Sequence, residues 1–490
     1  MTQTHVATMG QQNRMALKKL GIFFATLLVW SSMADSQTWR PLANQPTFSP
    51  STPILLTNGN VLVQDTEARD WWILKPDKSG DYRAGTWSKA ANMPAGYGPL
   101  YYASAILPNE QLIVMGGEYN LGVQDDTNLG AIYHPKTNSW TSMGHPSGWS
   151  NIGDGPSVVL ADGTFMLGDC CNFSQALLSG STWSTTGASK ADSNSEEGWT
   201  LLPNGKVLTV DTENGTESEL FDPTTGSWSL TGDTKATLPN PCGGFVAEVG
   251  PAILRPNGTV FATGGTRHTA IYDYKAGTWK AGPNFPSGTG VMDGAGALLI
   301  TGNVLVGAAP TSSSTCYGTG LKFYEFNGTT LKSVPNPPNA PNDKSYYGRM
   351  LALPSGHVLF TDGSNDMEIY TPKGSANSAW APKITSVAST ITRNTALVIK
   401  GTQFNGMSQA AAYGDDAQTA TNYPLVRVTN NKTGHVFYAR TYNFSSMGVA
   451  TGSKSVSCTF VVPSSAETGA STLEVVANGI ASSTVKVTIK

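Results

Sequence analysis

One short phrase returns seven times along this chain, and its spacing restricts the fold more than any other feature. The phrase is an apolar pair, a tight turn, then a short run of β-formers. It reads LLTNGNVLV (55–63), ILPNEQLIV (106–114), LADGTFML (160–167), LLPNGKVLTV (201–210), LRPNGTVFAT (254–263), LITGNVLVG (299–307) and LPSGHVLFT (353–361). The turn positions are Gly59, Glu110, Gly163, Gly205, Gly258, Gly302 and Gly356, spaced 42 to 54 residues apart. Two apolar runs joined by so short a turn form a β-hairpin, and glycine supplies the positive φ that such turns require.

A third strand follows most hairpins, as in AIYHP (131–135), ELFDP (219–223), AIYDY (270–274) and EIYTP (368–372). A fourth ends the unit on a tryptophan: Trp39, Trp87, Trp140, Trp183, Trp228 and Trp279, with Leu331 in that place in the sixth unit. Four short strands per period of roughly 50 residues is the pattern of a kelch repeat. Seven such units close into a ring, which hides most sheet edges. The strand at Trp39 precedes the first hairpin, so it is expected to complete the last blade and latch the ring. After Trp380 the period is lost, and residues 382–490 alternate as in a β-sandwich. The expected fold is therefore all-β: a seven-bladed kelch-type β-propeller over 36–381, then an immunoglobulin-like β-sandwich over 382–490.

The N-terminus has the form of an export signal. Lys18 and Lys19 precede an apolar run at 20–30, and Ser32, Met33 and Ala34 offer a cleavage site. The run is too short for a convincing membrane span. Residues 1–35 are thus expected to be removed, and the mature protein to be secreted or periplasmic. A net charge of −3 and the lack of any long basic run argue against a nucleic-acid partner. Export permits disulfides among Cys170, Cys171, Cys242, Cys316 and Cys458, but the odd count leaves one thiol over. Cys170 and Cys171 either form a vicinal disulfide, remain free thiols, or leave one of them paired with Cys242 or Cys316.

In a propeller, residues at one fixed distance before each hairpin turn gather around the axis at one mouth. Nine residues before the turn stand Pro50, Tyr101, Asp154, Glu196, Asp293 and Tyr347; in the fifth unit the extra Arg255 moves the slot to Glu248. Four consecutive units thus supply carboxylates. Like charges at such a site repel, so it needs a bound cation such as calcium, a shared proton, or a hydrated channel. Loops returning to the same mouth carry Glu118, Cys170, Cys171, Asp211, His268 and Asp362.

Seven kelch units followed by this C-terminal segment, which includes GTQFNGMSQAAAYGDDAQTATNYPLVR (401–427), resemble the galactose oxidase and glyoxal oxidase family and its uncharacterised exported bacterial relatives. The family's oxidases hold copper with two tyrosines and two histidines, one tyrosine being linked to a cysteine. On the resemblance, that cysteine falls on Tyr101 and the linked tyrosine on Asp154. The family's Tyr-His pair falls on Tyr346 and Tyr347, and the C-terminal histidine has its nearest counterpart in the loop at 440–452, with Tyr442 and Phe444. Copper prefers imidazole and thiolate donors, so the resemblance implies the fold without the copper chemistry, and no cofactor beyond a calcium-like cation is expected.

The remaining expectation is recognition of a glycan or cell-surface polymer. Tyr101, Tyr347, Trp199, Cys170, Cys171, His268 and Arg349 are the candidate contacts, alongside aromatics at Trp71, Trp72 and Tyr102. The alternative is a glycoside hydrolase or polysaccharide lyase, whose acid and base would come from Asp154, Glu196, Glu248, Asp293, Tyr101 or Tyr347. An acidic mouth favours neutral or cationic sugars over uronates.

Overall fold

The computed structural model describes residues 37–240, 247–312, 316–415 and 419–490. The expected export signal lies outside these residues, as does Cys242. Among the described residues there is no α-helix, and none long and apolar enough to cross a membrane.

Strands Pro50–Leu55, Val61–Asp65, Trp71–Lys75 and Thr86–Lys89 pair in chain order into an antiparallel meander. The same order recurs in sheets that begin at Ala103–Ile106, Ser157–Val159, Thr200–Leu201, Val249–Leu254 and Gly296–Leu298. The last meander is made of Arg349–Ala352, Val358–Thr361 and Glu368–Thr371, completed by the N-terminal strand Thr38–Pro41. Each innermost strand lies beside that of a neighbouring sheet, and Pro50–Leu55 lies beside Arg349–Ala352, so first meets last. The chain is a β-propeller.

Local chemistry explains the repetition. Each hairpin turn is closed by a backbone bond from the turn residue, such as Gly59 N to Leu56 O at 2.9 Å and Gly356 N to Leu353 O at 3.0 Å. All seven turn residues have φ between 73° and 95°. The recurrent tryptophans act as clasps between sheets. Trp87 Nε1 donates to Asn44 O (2.9 Å), Trp140 to Ala91 O (3.1 Å), Trp183 to Gly144 O (2.7 Å) and Trp39 to Pro335 O (2.7 Å). An indole both buries apolar area and donates one hydrogen bond, which suits it to bridge a wedge-shaped gap.

The strands from Lys383 onward form a second assembly, ordered Lys383–Ser386, Ala396–Thr402, Ser455–Val461, Val436–Tyr442, Leu425–Asn430, Gly469–Ala477, Val485–Ile489 and Thr390–Ile391. Ile399, Phe460, Val426, Val428, Leu473, Val475 and Val487 fill its interior, with the free thiol of Cys458 buried among them. This assembly covers the propeller face that bears the hairpin turns. The Tyr438 ring sits over Gly59, where a Cβ would lie 2.4 Å from it. Glu110, the one turn position without glycine, is ion-paired to Arg440. That bond helps offset the cost of a left-handed non-glycine residue.

Two buried acids in the last meanders give the fold a pH dependence. Burial pushes Glu368 up to about 9, helped by the charges of Asp366 and Asp362, and Asp343 is pushed up to about 8 by burial and by Asp362. Below the ordinary value of 4.5 Glu368 is protonated whether the chain is folded or not. As pH rises from there towards 9, the unfolded chain ionises while the folded one holds its proton, so stability falls through this window. Glu368→Gln is expected to match the parent in thermal melts at pH 5 and to exceed it at pH 9 by about 5 °C.

Candidate functional site: a pocket of carboxylates and phenols

The slot residues sit where the chain turns into each innermost strand. Tyr101, Glu196 and Asp293 have φ of 53°, 58° and 43°, and Gly153, just before Asp154, has 58°. A left-handed residue costs free energy unless it is glycine, and here three of equivalent position share the feature. With Glu248, these side chains converge on one pocket of about 240 Å³.

The rest of the lining is Glu118, Tyr119, Tyr317, Tyr346, Tyr413 and Asp415. Every lining side chain among the described residues is thus a carboxylate or a phenol. Oxygens from Glu196, Glu248 and Asp293 lie within 4.8 Å of one another, and so do oxygens from Asp154, Glu196 and Asp415. The Tyr317 hydroxyl lies 2.8 Å from Glu248 Oε1 and 2.9 Å from Asp293 Oδ2. A phenol has one proton to donate, so it can satisfy only one of them at a time. Burial first, and then the charges of its neighbours, hold Glu196 and Glu248 well above the usual carboxylate range. The Tyr317 hydroxyl is raised for the same two reasons.

Tyrosine rings form the other wall. Tyr101 and Tyr413 stack at 6.5 Å with 18° between their planes, and Tyr346 meets Tyr317 edge-on at 4.9 Å. The buried Arg349 guanidinium lies over both stacked rings, 3.6 Å from the Tyr413 centroid and 5.3 Å from that of Tyr101. Its Nη1 donates to Tyr346 O (2.7 Å) and Gly348 O (3.1 Å). Arg349 therefore supports the aromatic wall and is not among the residues lining the pocket.

Tyr413 and Asp415 arrive from the C-terminal assembly. Between strands Ala396–Thr402 and Leu425–Asn430 the chain enters the propeller, where Ala411–Ala412 pairs with Gly296 and Ala297. Leu298 N donates to Ala410 O (2.6 Å), Gln409 Oε1 accepts from Leu201 N (2.8 Å), and Thr419 Oγ1 donates to Met350 O (2.7 Å). The loop at 440–452, expected to supply this contribution, does otherwise. Its Phe444 N donates to Pro108 O (3.3 Å) and Met447 N to Ala161 O (3.0 Å), which holds it on the turn face.

Several other expected contacts lie away from the pocket lining. Trp199, Trp71 and Tyr102 are buried, at 2%, 0% and 1% exposure, because their rings fill the spaces between sheets. Tyr347 is 40% exposed and packs edge-on against Tyr346 at 4.7 Å, outside the pocket lining. A short 3₁₀ turn, Ser345–Tyr347, advances the slot by one residue to Tyr346. His268 also lies outside the lining, its Nδ1 2.9 Å from Asn284 Oδ1.

Cys170 and Cys171 form a vicinal disulfide. Cys170 is buried against Gly153, whose Cβ would lie 2.5 Å from the sulfur, so the ring backs the segment that carries Asp154. Beside it Phe173 is 55% exposed. A small hairpin, Tyr119–Asn120 with Val123–Gln124, leads from the pocket and presents Leu121 and Val123 to solvent.

The donor set does not fit copper. Among the described residues the pocket lining has no imidazole or thiolate, and oxygen-only donors suit hard cations instead.

No family model and no curated protein matches this chain. Several solved structures do, at low identity. A fungal alcohol oxidase of the AA5 family, in complex with copper, is 13% identical over 90% of this chain and 85% of its own, with a TM-score of 0.41. Virginiamycin B lyase from Staphylococcus aureus is 10% identical over 69% of this chain and 99% of its own, with a TM-score of 0.46. The extracellular domain of a hybrid two-component system from B. thetaiotaomicron is 12% identical over 83% of this chain and 51% of its own, with a TM-score of 0.48.

Proposed function

We propose that this protein is a secreted, seven-bladed kelch-type propeller with an immunoglobulin-like C-terminal domain that recognises a glycan or cell-surface polymer. The pocket seats a cationic or neutral sugar unit. The observation that carries this reading is the lining: among the described residues it comprises six carboxylates and five phenols, with no cationic side chain. Carboxylates accept hydrogen bonds from hydroxyl and ammonium groups, and phenol rings offer faces to the C–H surface of a sugar. The negative field favours an amino sugar and disfavours a uronate.

Calorimetry with glucosamine oligomers, their N-acetylated forms and uronate oligomers tests this. The glucosamine oligomers are expected to bind most tightly, with affinity falling as salt rises. Glu248→Gln is expected to weaken binding by about 10- to 100-fold, as loss of a charge-assisted hydrogen bond implies. Equal binding of uronates, or no binding of any oligomer, would reject the reading.

A second reading, glycoside hydrolysis, draws support from Glu196 and Glu248. Two neighbouring carboxyls, both held above the usual carboxylate range by burial and by the charges around them, are the kind of pair from which glycoside hydrolysis draws its acid and its partner. Mass spectrometry of the same incubations separates the two: shortened oligomers that disappear with Glu196→Gln mark an enzyme, and intact oligomers mark a binding module.

A further inference from the structure

Glu196 faces the pocket, but the next residue, Glu197, turns into the body of the same meander and joins a separate group of carboxylates. Asp192, Glu197, Asp211 and Glu219 are 1%, 0%, 0% and 0% exposed. Lys190, its side chain 1% exposed, lies among them. Its Nζ donates to Glu197 Oε1 at 2.8 Å and to Glu219 Oε2, and sits 5.1 Å from the Trp228 ring centroid.

Backbone amides satisfy part of the remaining acceptor capacity. Asp192 accepts from Ser193 N (3.0 Å), Thr212 N (2.7 Å) and Glu213 N (3.0 Å), and Glu219 Oε1 accepts from Ala191 N (2.9 Å). Three buried oxygens are left with no hydrogen-bond partner: Glu197 Oε2 and both carboxylate oxygens of Asp211. One ligand atom from each of Asp192, Glu197 and Asp211 lies within 4.8 Å of the other two.

Four buried carboxyls face one ammonium, and buried acids of this kind persist only when paired, protonated or bound to metal. We propose that Asp192, Glu197 and Asp211 hold a hard divalent cation of the calcium class in the wall beside the pocket. Calcium takes six to eight oxygen ligands in flexible geometry, whereas magnesium keeps several waters, for which so buried a place leaves little room. The ion ties the start of the segment 192–199 to Asp211 on the neighbouring loop. It thereby fixes the left-handed Glu196 that this segment presents to the pocket. The assignment is independent of what the pocket itself binds.

The full-length protein, purified and dialysed against calcium-free buffer, is analysed for bound metal, then melted with chelator, with calcium alone and with magnesium alone. The expected result is about one retained calcium per chain. Chelation should lower the melting temperature by about 5 °C, and calcium, not magnesium, should restore it. Asp211→Asn should lose both the ion and the calcium response, whereas Glu248→Gln, which alters only the pocket, should keep both. Should Asp211→Asn fail to fold, Glu197→Gln takes its place, and the parent's own calcium response still decides. A parent without stoichiometric metal and with chelator-insensitive melting overturns the assignment. So does a calcium response unchanged in Asp211→Asn, or one lost in Glu248→Gln.

Discussion

Gly198→Val is expected to destabilise the chain by about 3 kcal/mol and to abolish ligand binding at the pocket. A Cβ at position 198 would lie 2.2 Å from the carbonyl oxygen of Gly414, a contact with backbone that no rotamer can relieve. Gly414 cannot retreat either. A Cβ there would meet Asp293 Oδ1 at 2.9 Å and Asp293 Cα and Val249 O at 3.0 Å. The segment that carries Tyr413 and Asp415 must therefore shift, and the pocket loses two of its walls. Gly205→Ala is the matched control. Gly205 is left-handed, with φ of 83°, but a Cβ there would meet its nearest neighbour at an ordinary 4.0 Å. Its cost is conformational, about 1 kcal/mol, and its binding should be intact. Thermal melts with calorimetric titration distinguish the two, and equal binding by Gly198→Val and the parent would remove the inserted segment from the site.

The second large effect is expected at the latch. Trp39 packs between Phe323 and Tyr370, each at 4.8 Å, with Phe360 at 5.6 Å. Trp39→Ala removes these contacts and the bond to Pro335 O, a loss of about 3 kcal/mol or more. Trp183→Ala deletes a similar clasp within a sheet whose strands follow one another in the chain. At Trp39 the sheet is joined only by non-covalent pairing of Thr38–Pro41 with Glu368–Thr371. Trp39→Ala should therefore speed denaturant-induced unfolding more than Trp183→Ala does, and protection from hydrogen exchange should first be lost at the amides of Thr38, Trp39 and Arg40. Equal unfolding rates would mean that the closure does not limit opening.

The hairpins were legible because a tight turn between apolar runs leaves a local signature. The acidic slot was legible because a closed ring turns sequence period into spatial convergence. Tyr101, Asp154, Glu196, Glu248 and Asp293 were placed by counting back from turn residues, and all five line one pocket. The count failed at Tyr347, where one turn of 3₁₀ helix shifts the register, a change too short to leave a periodic trace. Tyr119 and Tyr317 escaped because they lie outside the repeat, the first on a small extra hairpin and the second on a loop. Tyr413 and Asp415 escaped for another reason: where a long connection goes is decided by three-dimensional packing. A signal existed all the same. A connection of about twenty residues between two strands is uncommon in a compact domain and marks a loop with a task. The burial of Trp199 and Trp71 was missed because an aromatic repeat looks the same whether it faces a ligand or a neighbouring blade.

The inserted C-terminal segment also sets when the site comes into being. Its wall of Tyr413 and Asp415 follows the propeller strands along the chain and is made after them, while Tyr101 belongs to an early sheet. A nascent or clipped polypeptide can close much of its ring and still present only an open, charged hole. The pocket's geometry is thus tied to that segment: a chain that stops before residue 411 would lack two of the side chains that line it.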